Sequence, residues 1–283
     1  MYRCTLLQTR WRLFLTSLSI ALVLACFQGA QSAPKQATDT RTVEGQFFAH
    51  DVFERYMDGQ ELGRGFRTYN PNNTMTRLFT YPISTPLNLE VATNGSYRLF
   101  SDTFDGGFGG SIGLAGGLTV FSQESAPNAD PQIPDGFASL QLSVRQGSGM
   151  NDSAFDGSYS YHALLRDDDG TYRTSFGAAN ANGGGAYFLI RESAIVRTFS
   201  YDVESDGRID LGPQEPNFAA VVPGGDVVVN TATYDNGDDP EAPDGYTGLA
   251  LYLRRFPDND ATYSDFRGTY RIHQLSSDGS TTP

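Results

Sequence analysis

The three histidines of this 283-residue chain, His50, His162 and His273, each close the same eight-residue pattern: apolar, any, Gly, any, aromatic, any, any, His. The segments are Val43 to His50, Phe155 to His162 and Phe266 to His273, beginning 112 and then 111 residues apart. Histidines invite a metal site. Equivalent positions of a repeat are nevertheless held apart by the relation between copies. Strand alternation also sets His162 with Asp156, Ser158 and Ser160, and places Phe155, Gly157, Tyr159 and Tyr161 on the opposite face. The expectation is a repeated strand-face residue that bonds to a neighbouring loop. A second candidate is Asp202-Val203-Glu204-Ser205-Asp206-Gly207-Arg208-Ile209-Asp210, with acids at positions 1, 3, 5 and 9 and Gly at 6, the order of a calcium loop. Its twelfth position is Pro213, where a bidentate Glu belongs. Asp202, Glu204, Asp206 and Asp210 are therefore candidate calcium ligands or, equally, parts of an Asp-Gly hairpin. A third is Gly109-Gly110-Ser111-Ile112-Gly113, which matches a nucleophile elbow. That device needs a strand, a sharp turn and a helix, and Leu114-Ala115-Gly116-Gly117 is a poor helix start. No catalytic residue is assigned, and a hydrolase with a loop-borne site stays an alternative.

The elements that hold these residues show in a second repeated block. Pro134 to Arg145 matches Pro243 to Arg254 at a spacing of 109, with apolar residues at every second position in both. That is strand periodicity with one apolar face. Two copies follow, 43–154 and 155–265, and 266–283 opens a third copy as an extra closing strand and tail. The second copy reads as eight strands, 155–165, 171–179, 185–192, 196–203, 207–212, 217–222, 225–234 and 247–255, joined by Asp169-Gly170, Gly183-Gly184, Asp206-Gly207 and Pro223-Gly224-Gly225. The fold class is all-β: two tandem antiparallel meander barrels of about eight strands, closed because closure removes exposed edges. A β-propeller or a β-sandwich from the same strands is the alternative. With the apolar alternation turned inward, Phe47 and Leu142 line the first barrel, and Tyr159, Tyr161 and Leu251 the second, as candidate contacts for a small apolar ligand.

The opening Gly-x-aromatic strand resembles the Gly-x-Trp start of the calycin superfamily, which includes lipocalins, fatty-acid-binding proteins and avidins. Phe47, Tyr159 and Tyr270 stand where that family has tryptophan. The resemblance covers only the opening strand of each copy. It implies a meander barrel and leaves the ligand open.

With 33 acidic against 20 basic residues and a formal charge of -13, a nucleic-acid partner is excluded, since phosphate binding depends on clustered cations. Arg3, Arg10 and Arg12 precede an apolar run from Leu13 to Phe27 and small residues at Ala30, Ser32 and Ala33. This is the pattern of a secretory signal over 1–33, followed by a polar linker over 34–42. Cleavage after Ser32 or Ala33 releases a soluble protein, whereas Val23-Leu24-Ala25-Cys26 resembles a lipoprotein box that leaves Cys26 lipidated. Contact with a membrane is expected only through that leader or lipid. Both cysteines lie in the leader, so the exported chain is expected to be stable without disulfides. An outer-membrane barrel is disfavoured by short strands and by the ending Ser280-Thr281-Thr282-Pro283, where such chains carry an aromatic residue. The composition and patterning together predict a secreted, periplasmic or envelope protein without enzymatic activity. It would bind a small apolar ligand or serve as an envelope module. A structural or adhesive surface protein with calcium-binding loops is the alternative.

Overall fold

A computed structural model describes residues 44–255 apart from 56–58, 70–73, 80–86, 93–94, 101–108, 114–116, 126–136, 168–171, 192–195, 212–216 and 235–245. The leader, the linker and 266–283, with His273 and Tyr270, lie outside the described residues. Strand alternation in the first copy yields β1 (Gly45–Arg55), β2 (Gly59–Tyr69), β3 (Thr74–Phe79), β4 (Leu87–Val91), β5 (Ser96–Phe100), β6 (Gly110–Gly113), β7 (Leu118–Ser125) and β8 (Phe137–Arg145). Each pairs antiparallel with its chain neighbour, and β8 returns to β1, so the eight strands form a closed barrel. The propeller and sandwich arrangements are thereby set aside.

The second copy repeats the meander. Its strands are β9 (Asp156–Asp167), β10 (Tyr172–Asn182), β11 (Ala186–Arg191), β12 (Val196–Ser200), β13 (Asp202–Val203), β14 (Arg208–Asp210), β15 (Asn217–Val221), β16 (Val227–Tyr234) and β17 (Tyr246–Arg254). They make one sheet in the order β12-β11-β10-β9-β17-β16-β15-β14-β13. The two ends of this sheet are consecutive in the chain, separated only by Tyr201. The segment 196–203 thus pairs with β11 along its first half and with β14 along its second. Covalent continuity closes this barrel where hydrogen bonds do not, and 196–203 counts as its eighth strand. Gly183, Gly207, Gly224 and Gly225 take positive φ at its hairpin turns, which their missing Cβ permits. Within the described residues, β17 lies between β16 and β9 and is paired on both sides.

Three apolar clusters organise the molecule. Phe47, Leu87, Leu89, Tyr97, Leu99, Ile112 and Phe121 fill part of the first barrel. The second barrel holds its own cluster, from Phe155, Tyr159 and Tyr161 through Val228, Ala250 and Tyr252. The third joins the barrels: Phe48, Val52, Leu118, Val120, Leu140, Leu142 and Val144 of the first meet Ala220, Val222, Val227, Val229, Leu249 and Leu251 of the second. The apolar row of β8 and the apolar row of β17 therefore point out of their barrels and into each other. Alternation says which residues share a face and leaves open which face is inward.

Candidate functional site

Each barrel carries the same clasp at one end. Gly45 and Gly157 sit at φ +128 and +114, a region that side chains with a Cβ avoid. They re-aim the chain so that the ring two residues on turns under an arginine from the last strand. Arg145 lies 4.8 Å from the centre of the Phe47 ring and donates from Nη1 to the Glu44 carbonyl. Arg254 lies 5.8 Å from the Tyr159 ring and donates from Nη2 to the Asp156 carbonyl at 2.6 Å. A Cβ on Gly45 would come within 2.9 Å of Arg145 Nη1, so the glycine and the arginine form one device.

In the second barrel the clasp extends into a plug. The Tyr159 hydroxyl donates to the Gly225 carbonyl at 2.9 Å, and burial pushes its pKa up, which keeps it a donor. Phe155 packs against Tyr159 at 5.1 Å, Tyr201 at 5.0 Å and Tyr252 at 6.2 Å. The Tyr201 hydroxyl donates to the Phe155 carbonyl at 2.6 Å. A short 3-10 helix, Asp152–Ala154, caps the assembly, and its Asp152 Oδ1 accepts from the Val203 amide at 2.8 Å.

Away from the plug the register defines rows across the lumen of the second barrel. One row is Gly177, Tyr161, Tyr252, Val228 and Val221. The next, farther from the plug, is Ser175, Ala163, Ala250, Asn230 and Ala219, all buried. Five neighbouring strands thus present small side chains directly beyond a pair of tyrosines packed at 5.1 Å. In an eight-stranded barrel, large side chains would close such a level.

The five lining residues expected from the sequence separate accordingly. Tyr161 belongs to the lumen, Phe47 and Tyr159 lie inside their barrels and also form the clasps, and Leu142 and Leu251 are corrected to the contact between barrels. Sequence reasoning missed Ala163, Ala250 and Asn230 because it sought large apolar residues. It also missed the arginines, although Arg145 and Arg254 end the two copies of the repeated block.

The remaining candidates take structural places. Asp202 and Asp210 are paired, exposed strand residues. Glu204 forms an ion pair with Arg208, and Asp206 Oδ1 accepts from the Arg208 amide at 3.1 Å. These four acids do not converge, and among the described residues no group of three or more His, Cys, Asp or Glu is placed to hold a metal ion. Their hairpin instead receives the connection between barrels: the Gly147 and Met150 amides donate to the Asp206 and Ser205 carbonyls at 2.7 and 3.1 Å. Ser111 lies in β6, and its neighbour Gly110 makes room for the Tyr97 ring, which a Cβ there would meet at 2.4 Å. That is a strand in which the glycine accommodates a ring, without the turn that an elbow requires. His50 is 0% exposed between the barrels, 5.1 Å from the Phe218 ring and with Nδ1 3.4 Å from Thr231 Oγ1. Desolvation lowers its pKa to about 3. It contacts the other barrel, where a polar strand face and a neighbouring loop were expected.

Two tandem meander barrels, each clasped by an arginine over the ring of its first strand, define the architectural class. No family model and no curated protein matches the chain. Solved structures similar to it include a protein of unknown function from the DUF3598 family of Nostoc punctiforme, 10% identical over 78% of this chain and 100% of that one, with a TM-score of 0.29. Another is transferrin binding protein B from Haemophilus parasuis, 8% identical over 73% and 45%, TM-score 0.32. A third is kievitone hydratase from Nectria haematococca, 7% identical over 80% and 94%, TM-score 0.22. At such values no activity transfers to this chain. No helix of the described residues is long and apolar enough to cross a membrane.

Proposed function

We propose that the chain is an exported, non-enzymatic, calycin-like protein whose second barrel binds one small, largely apolar molecule. The basic, apolar, small-residue leader supports export, either by cleavage after Ser32 or Ala33 or by lipidation of Cys26. The observation that carries the binding reading is the row Ser175, Ala163, Ala250, Asn230 and Ala219 beyond Tyr161 and Tyr252. The tyrosines supply an aromatic floor, the alanines an apolar wall, and Ser175 and Asn230 a hydrogen bond that fixes orientation.

The test is binding of an environment-sensitive apolar dye to the full chain. Saturable binding is expected, and Ala250→Trp, which fills the row above the tyrosines, abolishes it; Ala163→Leu weakens it in a gentler way. Dye binding left undiminished by both substitutions in folded protein would sink the reading. Absence of binding by the unsubstituted chain would leave a structural envelope module.

A further inference from the structure

His50 and His162 hold the same position of the repeat in different surroundings. His162, on β9, stands beside Leu251 in register and is half-buried. His50, on β1, is fully buried between the barrels, with Phe48 and Val52 of the shared cluster on either side of it in the strand. A titratable ring thus sits in an otherwise apolar contact. Its Nδ1 lies 3.4 Å from Thr231 Oγ1, which also lies 3.4 Å from the Phe218 carbonyl. Its Nε2, buried as well, has no hydrogen-bond partner among the described residues. Whichever tautomer is present, one ring nitrogen is left unsatisfied, a cost that an apolar ring at this position would not carry.

Protonation makes the mismatch worse, because both ring nitrogens then donate. Thr231 Oγ1 can accept from Nδ1, and Nε2 still meets nothing. The described side chains that face His50 include no carboxylate. By register it lies across from Arg64 on β2 and Leu142 on β8, and the contact rows of β15, β16 and β17 hold only Phe, Ala, Val, Thr and Leu. On β1 itself Asp51 alternates to the opposite face, and Glu54 stands four residues farther along. On β9, outside the contact, the ionisable group is His162, with Arg255 near it. A proton on His50 would therefore place an uncompensated charge inside the joint.

The barrels can part without unfolding. Each keeps its own antiparallel strands and its own apolar cluster, and only the cluster between them loses its contacts. We propose that His50 makes this joint an acid-sensitive latch: acidification raises the population in which the two barrels have parted along the shared face while each remains folded. In the parted state the imidazole regains its ordinary pKa of 6.5, whereas desolvation holds it at about 3 in the closed joint. The lower value belongs to the closed form, so the open form binds the proton. The closed joint keeps its full advantage above about pH 6.5 and loses about tenfold for each pH unit below that, down to about 3.

The experiment is thiol labelling of the full chain with Cys4 and Cys26 replaced by Ser. Val229→Cys reports on the joint, and Ala179→Cys and Ser143→Cys report on the insides of the second and first barrels; all three positions are 0% exposed. Thiol reactivity itself varies with pH, so the Val229→Cys rate is divided at each pH by its rate in a His50→Phe background. That ratio should rise by about a hundredfold from pH 7.5 to 4.5, and His50→Gln, which keeps a polar but uncharged side chain, should serve as an equivalent reference. His162→Gln, outside the joint, should leave the rise in place. At pH 4.5 the joint thiol should also react at least about tenfold faster than either interior thiol, the measure of opening without unfolding. A ratio that stays flat against both His50 variants overturns the proposal. So does equal labelling of joint and interior thiols in acid, which would mean that the barrels unfold when they part.

Discussion

His50 shows what the joining of two barrels does to one residue. On a single barrel its face of β1 would be wet; here Phe48 and Val52 flank it in the cluster between barrels, and Phe218 covers its ring. Its pKa falls from 6.5 to about 3 because burial penalises the charged form. A folded pKa below the unfolded one means that the unfolded chain binds more protons. Stability from this residue is then complete above about pH 6.5 and is lost as pH falls from there toward 3. His162, half-buried and shifted down by burial and then by Arg255, acts in the same direction. The denaturation midpoint of the full chain should therefore drop steeply between pH 6.5 and 4. His50→Phe, which keeps a ring against Phe218, should remove much of that slope, an effect on the order of a few kcal/mol. A pH profile identical in the variant would show that His50 titrates freely and that the interface opens.

At the scale of elements, the clasp explains why the last strand of each copy ends in arginine. Arg254 packs over Tyr159, bonds to the Asp156 carbonyl and to the Tyr159 hydroxyl at 3.3 Å, and so ties β17 to the start of β9 across the barrel seam. Arg254→Met keeps the aliphatic stem and deletes these bonds. It should lower stability by about 1–3 kcal/mol without changing the circular dichroism of the native state; an unchanged melting temperature would make the clasp ornamental. Much of this level is legible in the sequence. The eight segments read in the second copy correspond to the observed strands, because Gly-rich turns and period-two apolar residues are local signals. The facing of β8 and β17 is not local. The alternation of Ser139, Gln141 and Ser143 with Leu140, Leu142 and Val144 looks the same whether the leucines face a lumen or a neighbouring barrel, so the expected lining residues Leu142 and Leu251 came out on the wrong side. Nor does a local pattern reveal that Asp206 serves the connection between barrels through its carbonyl.

At the scale of the whole molecule, the two copies are joined through one apolar contact. Leu118, Val120, Leu140 and Leu142 of the first copy correspond by the repeat to Val227, Val229, Leu249 and Leu251 of the second, and all eight lie in the shared cluster. These corresponding strands meet, but the contact is not a symmetric one: Phe48 and Val52 of β1 join it while no residue of β9, the matching strand of the second copy, does. The shared contact keeps the outward rows of the last strands, Leu140 and Leu142 and their counterparts Leu249 and Leu251, apolar in both copies. The contact should also outlive the covalent connection. A fully buried Leu or Val contributes about 1.5–3 kcal/mol, and the cluster holds thirteen described side chains, against an association cost on the order of 4–15 kcal/mol. The natural place to cut is Ser148, exposed on the connection that docks against the Asp202–Asp210 hairpin. A protease site inserted there should, after cleavage, leave two fragments that co-elute at the size of the intact chain in gel filtration. Leu142→Asp or Leu251→Asp should make the cut fragments separate or aggregate, since a carboxylate in the cluster has no partner to offset its burial. Cut fragments of the unsubstituted chain that elute as two independent barrels would show that the connection, and not the shared face, holds the molecule together.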